Sequence, residues 1–269
     1  MGKLTGKVAV ITGAGRGLGR AYALRLAALG AHIVINDIDL NAAREFEEEL
    51  TADSVAAECE ALGVSAISIE ADVTHQVEVR SMVDHVMKTY GRLDILVNNA
   101  GGVLRPAANG NASTVTEDDW RFIMDVNLTA TLFCCQAAAA PMKEQRSGKI
   151  VNVSSQAGLQ GNLSGNIAHY CVAKAGIVEY TRVLAGELGP FNINVNCIAP
   201  GLVLTSRANK QFDRNSPESH ANLSPRIALR RLGQPVDCAK VVEFLATDLS
   251  DYVTGQCIPV CGGMVLFPS

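Results

Sequence analysis

The sequence predicts an α/β protein built on a doubly wound parallel β-sheet. Three features carry that expectation. Short unbroken apolar runs recur along the chain, amphipathic segments lie between them, and a glycine-rich turn joins the first run to the first amphipathic segment. Strands of continuous apolar character belong to sheets covered on both faces, and helical crossovers between them make such sheets parallel. Hydrophobic residues make up 48% of the 269 positions and charged residues 19%, which suits a sizeable core and not a disordered chain. With aromatics at 5% and 24 glycines, that core is expected to be closely packed Ala, Val, Leu and Ile.

The first strand is Lys7 to Ile11, ending at Thr12-Gly13. A helix follows over 17–29, with Leu18, Tyr22, Leu26 and Leu29 on one face, and Gly30 stops it. Residues 31–36 form the second strand. The acidic, Ala-rich stretch 41–62 is expected to be one long helical region, with Glu45–Glu49 a solvated face. Strand 64–69, helix 74–90 and strand 93–97 come next, and Gly, Asn, Pro and Ala make 98–113 a loop. Thr116 is placed to cap a long helix over 117–145, whose first turn holds Glu117, Asp118 and Asp119 where the helix dipole favours carboxylates. Strand 149–153, helix 168–188, strand 192–198, an irregular stretch 200–234, helix 235–245 and strand 256–260 complete the pattern. No Pro/Gly/Ser-rich linker divides the chain, so 1–269 is expected to be a single domain.

Several function classes are excluded at this level. A net charge of −4 leaves no basic footprint for nucleic acid. No run approaches the roughly 18 apolar residues of a membrane span, and the most apolar stretch, 126–142, is interrupted by Asn127, Thr129, Thr131 and Gln136. The N-terminus lacks a signal-like apolar stretch. A cytoplasmic protein with no membrane partner is expected. Its eight cysteines include no Cys-x-x-Cys pair and suit reduced, packed thiols. No His/Cys/Asp cluster has metal-ligand spacing, so no metal is expected.

Thr12-Gly13-Ala14-Gly15-Arg16-Gly17-Leu18-Gly19 lies between the first strand and first helix, the context that a dinucleotide-binding Rossmann fold requires. Gly13 permits the tight turn, Gly17 lets backbone approach a pyrophosphate at the helix N-terminus, and Gly19 allows close helix packing. Asp37 lies 18 residues beyond Gly19, at the end of the second strand. A carboxylate there accepts both adenosine ribose hydroxyls and repels a 2′-phosphate, which favours NAD over NADP. Arg16 argues the other way as a cation in the loop, and Asp37 has an alternative use as a cap for the next helix, a job Asp39 can also do.

Tyr170 and Lys174 stand at i, i+4, on one helical face. An ammonium beside a phenol favours phenolate and lowers its pKa, letting tyrosine serve as a base nearer neutrality. With the loop 12–19, Asn98-Asn99-Ala100-Gly101, Ile150-Val151-Asn152-Val153-Ser154-Ser155 and Pro200-Gly201-Leu202-Val203-Leu204-Thr205, all in one order, the chain resembles the short-chain dehydrogenase/reductase family, in its compact single-domain subgroup.

The resemblance implies an NAD-dependent oxidoreductase interconverting a small-molecule secondary alcohol and a ketone. Tyr170 is then the general acid/base, Lys174 lowers its pKa and holds the nicotinamide ribose, and Ser155 hydrogen-bonds the reacting oxygen. Asn127 resembles the helix asparagine that positions a relay water. Asp72 and Val73 resemble the adenine contact, Asn99, Ala100 and Gly101 line the cofactor with Gly13, Arg16, Gly17, Leu18, Gly19 and Asp37, and Pro200, Gly201, Val203 and Thr205 lie at the nicotinamide. Ser154 in place of Ser155, a helix-bridging Asn127 and a helix-starting Thr205 remain open. The resemblance also implies a substrate-covering segment over about 204–230 and a homotetramer.

The serine-to-tyrosine interval, 170 − 155 = 15 residues, exceeds the family's usual spacing, so Gln156, Gln160, Asn162, Asn166 and His169 lie in a longer loop that either contacts substrate or is solvated. Within 204–230, Arg207, Lys210, Arg214, Arg226 and Arg230 outnumber Asp213 and Glu218, an excess that either receives an anionic group or faces solvent. An NADP-dependent 3-oxoacyl-thioester reductase is the alternative, and Asp37 argues against it. A non-catalytic dinucleotide-binding module would have no use for the Ser155, Tyr170 and Lys174 set.

Overall fold

The computed structural model describes residues 2–105, 110–161 and 163–266. Its first half is β1 (Val8–Thr12), α1 (Gly17–Ala28), β2 (His32–Asp37), α2 (Ala42–Glu45), α3 (Val55–Glu60), β3 (Ala66–Glu70), α4 (Gln76–Tyr90) and β4 (Ile95–Asn98). The second half is α5 (Glu117–Met124), a π-helical turn (Asp125–Thr129), α6 (Ala130–Gln145), β5 (Gly148–Val153), α7 (Ala168–Leu188), β6 (Ile193–Pro200), α8 (Ser206–Phe212), α9 (Pro217–Leu223), α10 (Pro235–Ala246) and β7 (Cys257–Val260). The strands form one sheet in the order β3-β2-β1-β4-β5-β6-β7, every pairing parallel. The strand order reverses between β1 and β4, and a doubly wound sheet opens its ligand crevice at that point.

Side-chain alternation along β1 divides the core between two faces. Ala9 and Ile11 join Ile33, Ile35, Ile95 and Val97 beneath α1, α3 and α10, whereas Val8 and Val10 join Val34, Leu96 and Ile150 beneath α4, α6 and α7. The apolar stripe of α1 falls as expected, with Tyr22 and Leu26 fully buried. Its outer edge meets α10 through an Arg25–Glu243 ion pair. A polar ladder crosses the interior: Asn98 Nδ2 donates to Asn152 Oδ1 (2.8 Å), Asn152 Nδ2 donates to Thr181 Oγ1 (3.0 Å), and Thr181 donates to the Ile177 carbonyl (2.7 Å). It locks the register of β4, β5 and α7.

Two expectations are corrected. The stretch 41–62 is not one helix: α2 lasts four residues, Glu47 turns through φ +53°, and α3 restarts at Ser54, whose side chain accepts the Ala57 N–H. Arg20 breaks it, because it draws Glu48 (2.9 Å) and Glu58 (2.6 Å) inward from opposite sides of the break. The stretch 200–234 is not wholly irregular either. It holds α8 and α9, capped by the side chains of Thr205 and Ser216, with Pro217 in the first turn of α9.

The helix from Glu117 to Gln145 starts at Thr116, whose hydroxyl accepts the Asp119 N–H (3.1 Å). By length and composition it is apolar enough to cross a membrane. Its inner face, including Cys135, Ala138 and Met142, is core against α4, β4 and β5. All eight cysteines are unpaired, and burial pushes the Cys59, Cys134 and Cys238 thiols up to about 12.

Asn152→Ala removes the middle of the polar ladder and leaves the buried Asn98 amide only the weak acceptor Cys135 Sγ (3.1 Å). It is expected to cost about 2–4 kcal/mol in urea denaturation.

Candidate active site

The loop after β1 is shaped by contacts that only glycine allows. Gly13 and Gly17 sit at φ +61°, and a Cβ on Gly19 would stand 2.2 Å from the Gly13 carbonyl oxygen. Asn99 braces this turn from β4. Its Nδ2 donates to the carbonyls of Thr12 (3.0 Å) and Gly13 (2.9 Å), while Thr12 Oγ1 accepts the N–H groups of Asn99 and Ala100 (3.0 and 3.1 Å).

A cleft of about 550 Å³ opens over the loop. Of the residues expected at the cofactor, Gly13, Arg16, Gly17, Leu18, Asp37, Asp72, Val73, Asn99, Ala100, Gly101 and Thr205 line it. Asp37 Oδ2 accepts the Gly15 N–H (2.9 Å) and Oδ1 accepts that of Ile38 (2.9 Å), which orients the carboxylate at the cleft wall. Asp72 is fixed by Thr74, which donates both its N–H and its hydroxyl to it. Arg16 lies flat over the Phe46 ring, 3.9 Å from the centroid, and burial lowers its pKa.

A second cavity of about 370 Å³ adjoins the first and shares Leu18, Asn99, Gly101, Thr205 and Arg207 with it. Ser155, Tyr170, Lys174, Pro200, Gly201 and Val203 line this one. Thr205 serves both readings left open for it, since it also caps α8. Both serines border the cavity, but their hydroxyls differ: buried Ser154 donates to the Lys174 carbonyl (2.7 Å), whereas Ser155 hydrogen-bonds the Tyr170 hydroxyl.

Gly19 and Asn127 line neither cavity. Asn127 Oδ1 accepts the Gly102 N–H (2.9 Å), and its Nδ2 donates to the carbonyls of Gly102 (3.1 Å) and Ile123 (3.0 Å). Its side chain is therefore spent on bridging backbone, within the π-helical turn. From the longer loop, Gln156 and Asn166 line the substrate-side cavity. His169 is fully buried with neither ring nitrogen hydrogen-bonded. Asn162 lies outside the described residues, as do 106–109 in the loop after Gly101.

Burial, more than the Tyr–Lys spacing, sets the electrostatics. Lys174 is 4% exposed, and its Nζ donates to the Val153 carbonyl (2.8 Å). Desolvation, then the Arg207 charge, lowers its pKa to about 7. The Tyr170 pKa is raised rather than lowered, because burial of the phenol outweighs the Ser155 hydrogen bond and the charges of Arg207 and Arg214. Lys174 Nζ stands 5.7 Å from the Tyr170 ring centroid, with its hydrogen bond directed to β5.

Glu48 escaped the sequence reading. Far from being part of a solvated face, its carboxylate accepts the Gly17 N–H (3.0 and 3.1 Å), Arg20 Nη1 (2.9 Å) and Ser206 Oγ (2.8 Å). It joins the phosphate loop to the start of α8. Nothing in the run Glu47-Glu48-Glu49 marks the middle residue for this.

Lys174 also makes a stability prediction. Its folded pKa of about 7 lies below the ordinary lysine value of 10.5, so the cost of burying the ammonium is fully present below about pH 7. That cost fades as pH rises towards 10.5, where unfolded lysine also deprotonates. Lys174→Met should therefore stabilise the fold by about 1–3 kcal/mol at pH 6, a gain that disappears by about pH 10.5 in urea titrations.

Known proteins share this architecture. A family model described as enoyl-(acyl carrier protein) reductase matches residues 13–265. A cyclohexanol dehydrogenase of Rhodococcus sp. (strain TK6) is 46% identical over 264 residues, 97% of each chain. The crystal structure of a short-chain type dehydrogenase/reductase from Mycobacterium marinum superposes with a TM-score of 0.87 at 33% identity, covering 98% of each chain. That of an NAD+-bound xylitol dehydrogenase gives 0.83 at 32% identity, covering 97% of this chain and 100% of that one. Matched along nearly its whole length in sequence and in fold, the chain belongs to the short-chain dehydrogenase/reductase family.

Proposed function

We propose that the protein is an NAD-dependent dehydrogenase that interconverts a small secondary alcohol and its ketone. The observation that carries this reading is the meeting of Ser155, Tyr170 and Lys174 on one cavity that opens into the dinucleotide cleft. The similarity to a cyclohexanol dehydrogenase supports a compact, ring-sized alcohol as the substrate class.

The residues present fit a dinucleotide. A Cβ on Gly17 would meet nothing closer than 3.9 Å, so the absent side chain leaves open space where the cleft crosses the α1 N-terminus. Asp37 and Asp72 would hold the adenosine end, Leu18 the pyrophosphate, and Asn99, Lys174 and Val203 the nicotinamide end. When bound, this group exchanges a hydride with the substrate carbon.

The chain supplies the proton. Tyr170, tethered by Ser155, takes the alcohol proton as phenolate in oxidation and, as phenol, gives it to the ketone oxygen in reduction. Ser155 holds the substrate oxygen and stabilises charge developing there. Asn127 acts as a positioning residue, holding the Gly102 backbone beside the cavity. The outward-facing Val172 and Val183 of α7 support the homotetramer that the resemblance implies, which light scattering tests directly.

Tyr170→Phe should lower kcat by about 10²–10⁴-fold while NADH binding, followed by fluorescence, stays within about threefold. Full activity in that variant would remove Tyr170 from its role. Because the phenol titrates above its ordinary value of 10, kcat/KM for alcohol oxidation should climb steadily from neutral into alkaline pH. Ketone reduction, which uses the protonated phenol, should hold level through neutrality. NADH should bind at least about tenfold more tightly than NADPH, and Asp37→Ser should narrow that gap. Tighter NADPH binding would overturn the choice of NAD.

A further inference from the structure

The structure sorts the cations of the covering segment. Lys210 turns outward to the Glu45 carbonyl, and Arg226 and Arg230 are exposed. Arg207 and Arg214 instead turn inward and line the cavity that holds Ser155 and Tyr170. Each is half-buried, and each has one backbone partner: Arg207 Nη1 donates to the Gly101 carbonyl (3.1 Å), and Arg214 Nη1 to the Val203 carbonyl (3.0 Å). A guanidinium carries five N–H donors in a rigid fork, so most of their donor capacity is uncommitted.

Neither arginine forms an ion pair among the described residues, and no Asp or Glu lines the cavity. Lys174 adds a third basic group to the same walls. Burial and repulsion from Arg207 lower the pKa of Arg214, with no carboxylate acting on it; burial also lowers that of Arg207, which feels the Asp37 carboxylate across the dinucleotide cleft. Desolvated cations are normally matched by carboxylates, and among the described residues none is matched to Arg214. Arg214 lines only the cavity that holds Ser155 and Tyr170, while Arg207 also borders the dinucleotide cleft.

We infer that Arg214, with Arg207 beside it, receives a carboxylate carried by the substrate, making the preferred substrate class a small cyclic hydroxy acid and its oxo acid. This rests on the alcohol/ketone reading above and names its substrate class. A planar carboxylate matches the guanidinium fork, and the same walls carry Ser155 and Tyr170, where the reacting oxygen of that substrate would lie.

The test compares cyclohexanol with 3-hydroxycyclohexane-1-carboxylate in NAD-linked turnover, together with calorimetric binding of cyclohexane-carboxylate to the enzyme–NAD complex. The wild-type protein should favour the hydroxy acid by about 10- to 100-fold in kcat/KM and bind the non-reacting acid. Arg214→Gln should collapse the ratio to about one and abolish acid binding, and Arg214→Lys should retain part of both. A wild-type ratio near one with cyclohexanol turned over would overturn the carboxylate site and leave the dehydrogenase reading standing. Acid binding that depends on Arg214, with neither alcohol oxidised, would support the site and count against that reading. Loss of NADH affinity in Arg214→Gln with the ratio intact would assign the charge to the cofactor's pyrophosphate and overturn the proposal.

Discussion

All seven strands run in one direction, so all seven carboxyl ends open on one edge of the sheet, and the chemistry gathers there. Gly13 follows the last residue of β1, Asp37 ends β2, and Asp72 stands two residues beyond β3. Asn99 follows β4, Ser155 comes two residues after β5, and Gly201 follows β6. Tyr170 and Lys174 arrive by another route, on the helix that crosses from β5 to β6. The ladder from Asn98 through Asn152 to Thr181 fixes that helix to the two strands it must match. A register error of one residue in β5 would move Ser155 away from Tyr170.

Within that edge, water exclusion governs the charges. The tyrosine, the lysine and two arginines share walls without a carboxylate, and each is shifted in the direction that desolvation dictates. The cavity is thus a positively biased space in which a developing alkoxide, or an anionic group, is better solvated by protein than a neutral ligand would be.

Much of this was legible in the sequence. The glycine loop, the strand order implied by alternating elements, and the i, i+4 tyrosine and lysine are local patterns that backbone sterics and helix geometry enforce at short range. What escaped depends on distant partners. Helical propensity across 41–62 is real, but Arg20, 28 residues from Glu48 and 38 from Glu58, overrules it with two ion pairs. The helices α8 and α9, seven residues each, are too short for periodicity to show, and only the caps Thr205 and Ser216 announce them. The spacing of Tyr170 and Lys174 says they are neighbours, but it cannot say that the ammonium turns to Val153 or that burial outweighs its pull on the phenol. That Asn127 bridges backbone is one of two readings the sequence leaves open, and its partners Gly102 and Ile123 cannot be seen from the residue itself.

The packing of α1 against α10, with Arg25 joined to Glu243, has a consequence for how the molecule is made. Helix α1 is synthesised before the partner that covers its outer side, which lies more than 200 residues later. The strands β1 to β4 can align early beneath α1 and α3, but the outer side of α1 and one face of β5 and β6 stay bare until α10 emerges. Assembly from these widely separated pieces is slow by nature and leaves apolar surface open during synthesis. A nascent chain of this design is therefore open to aggregation for as long as most of its sheet has formed and α10 has yet to arrive.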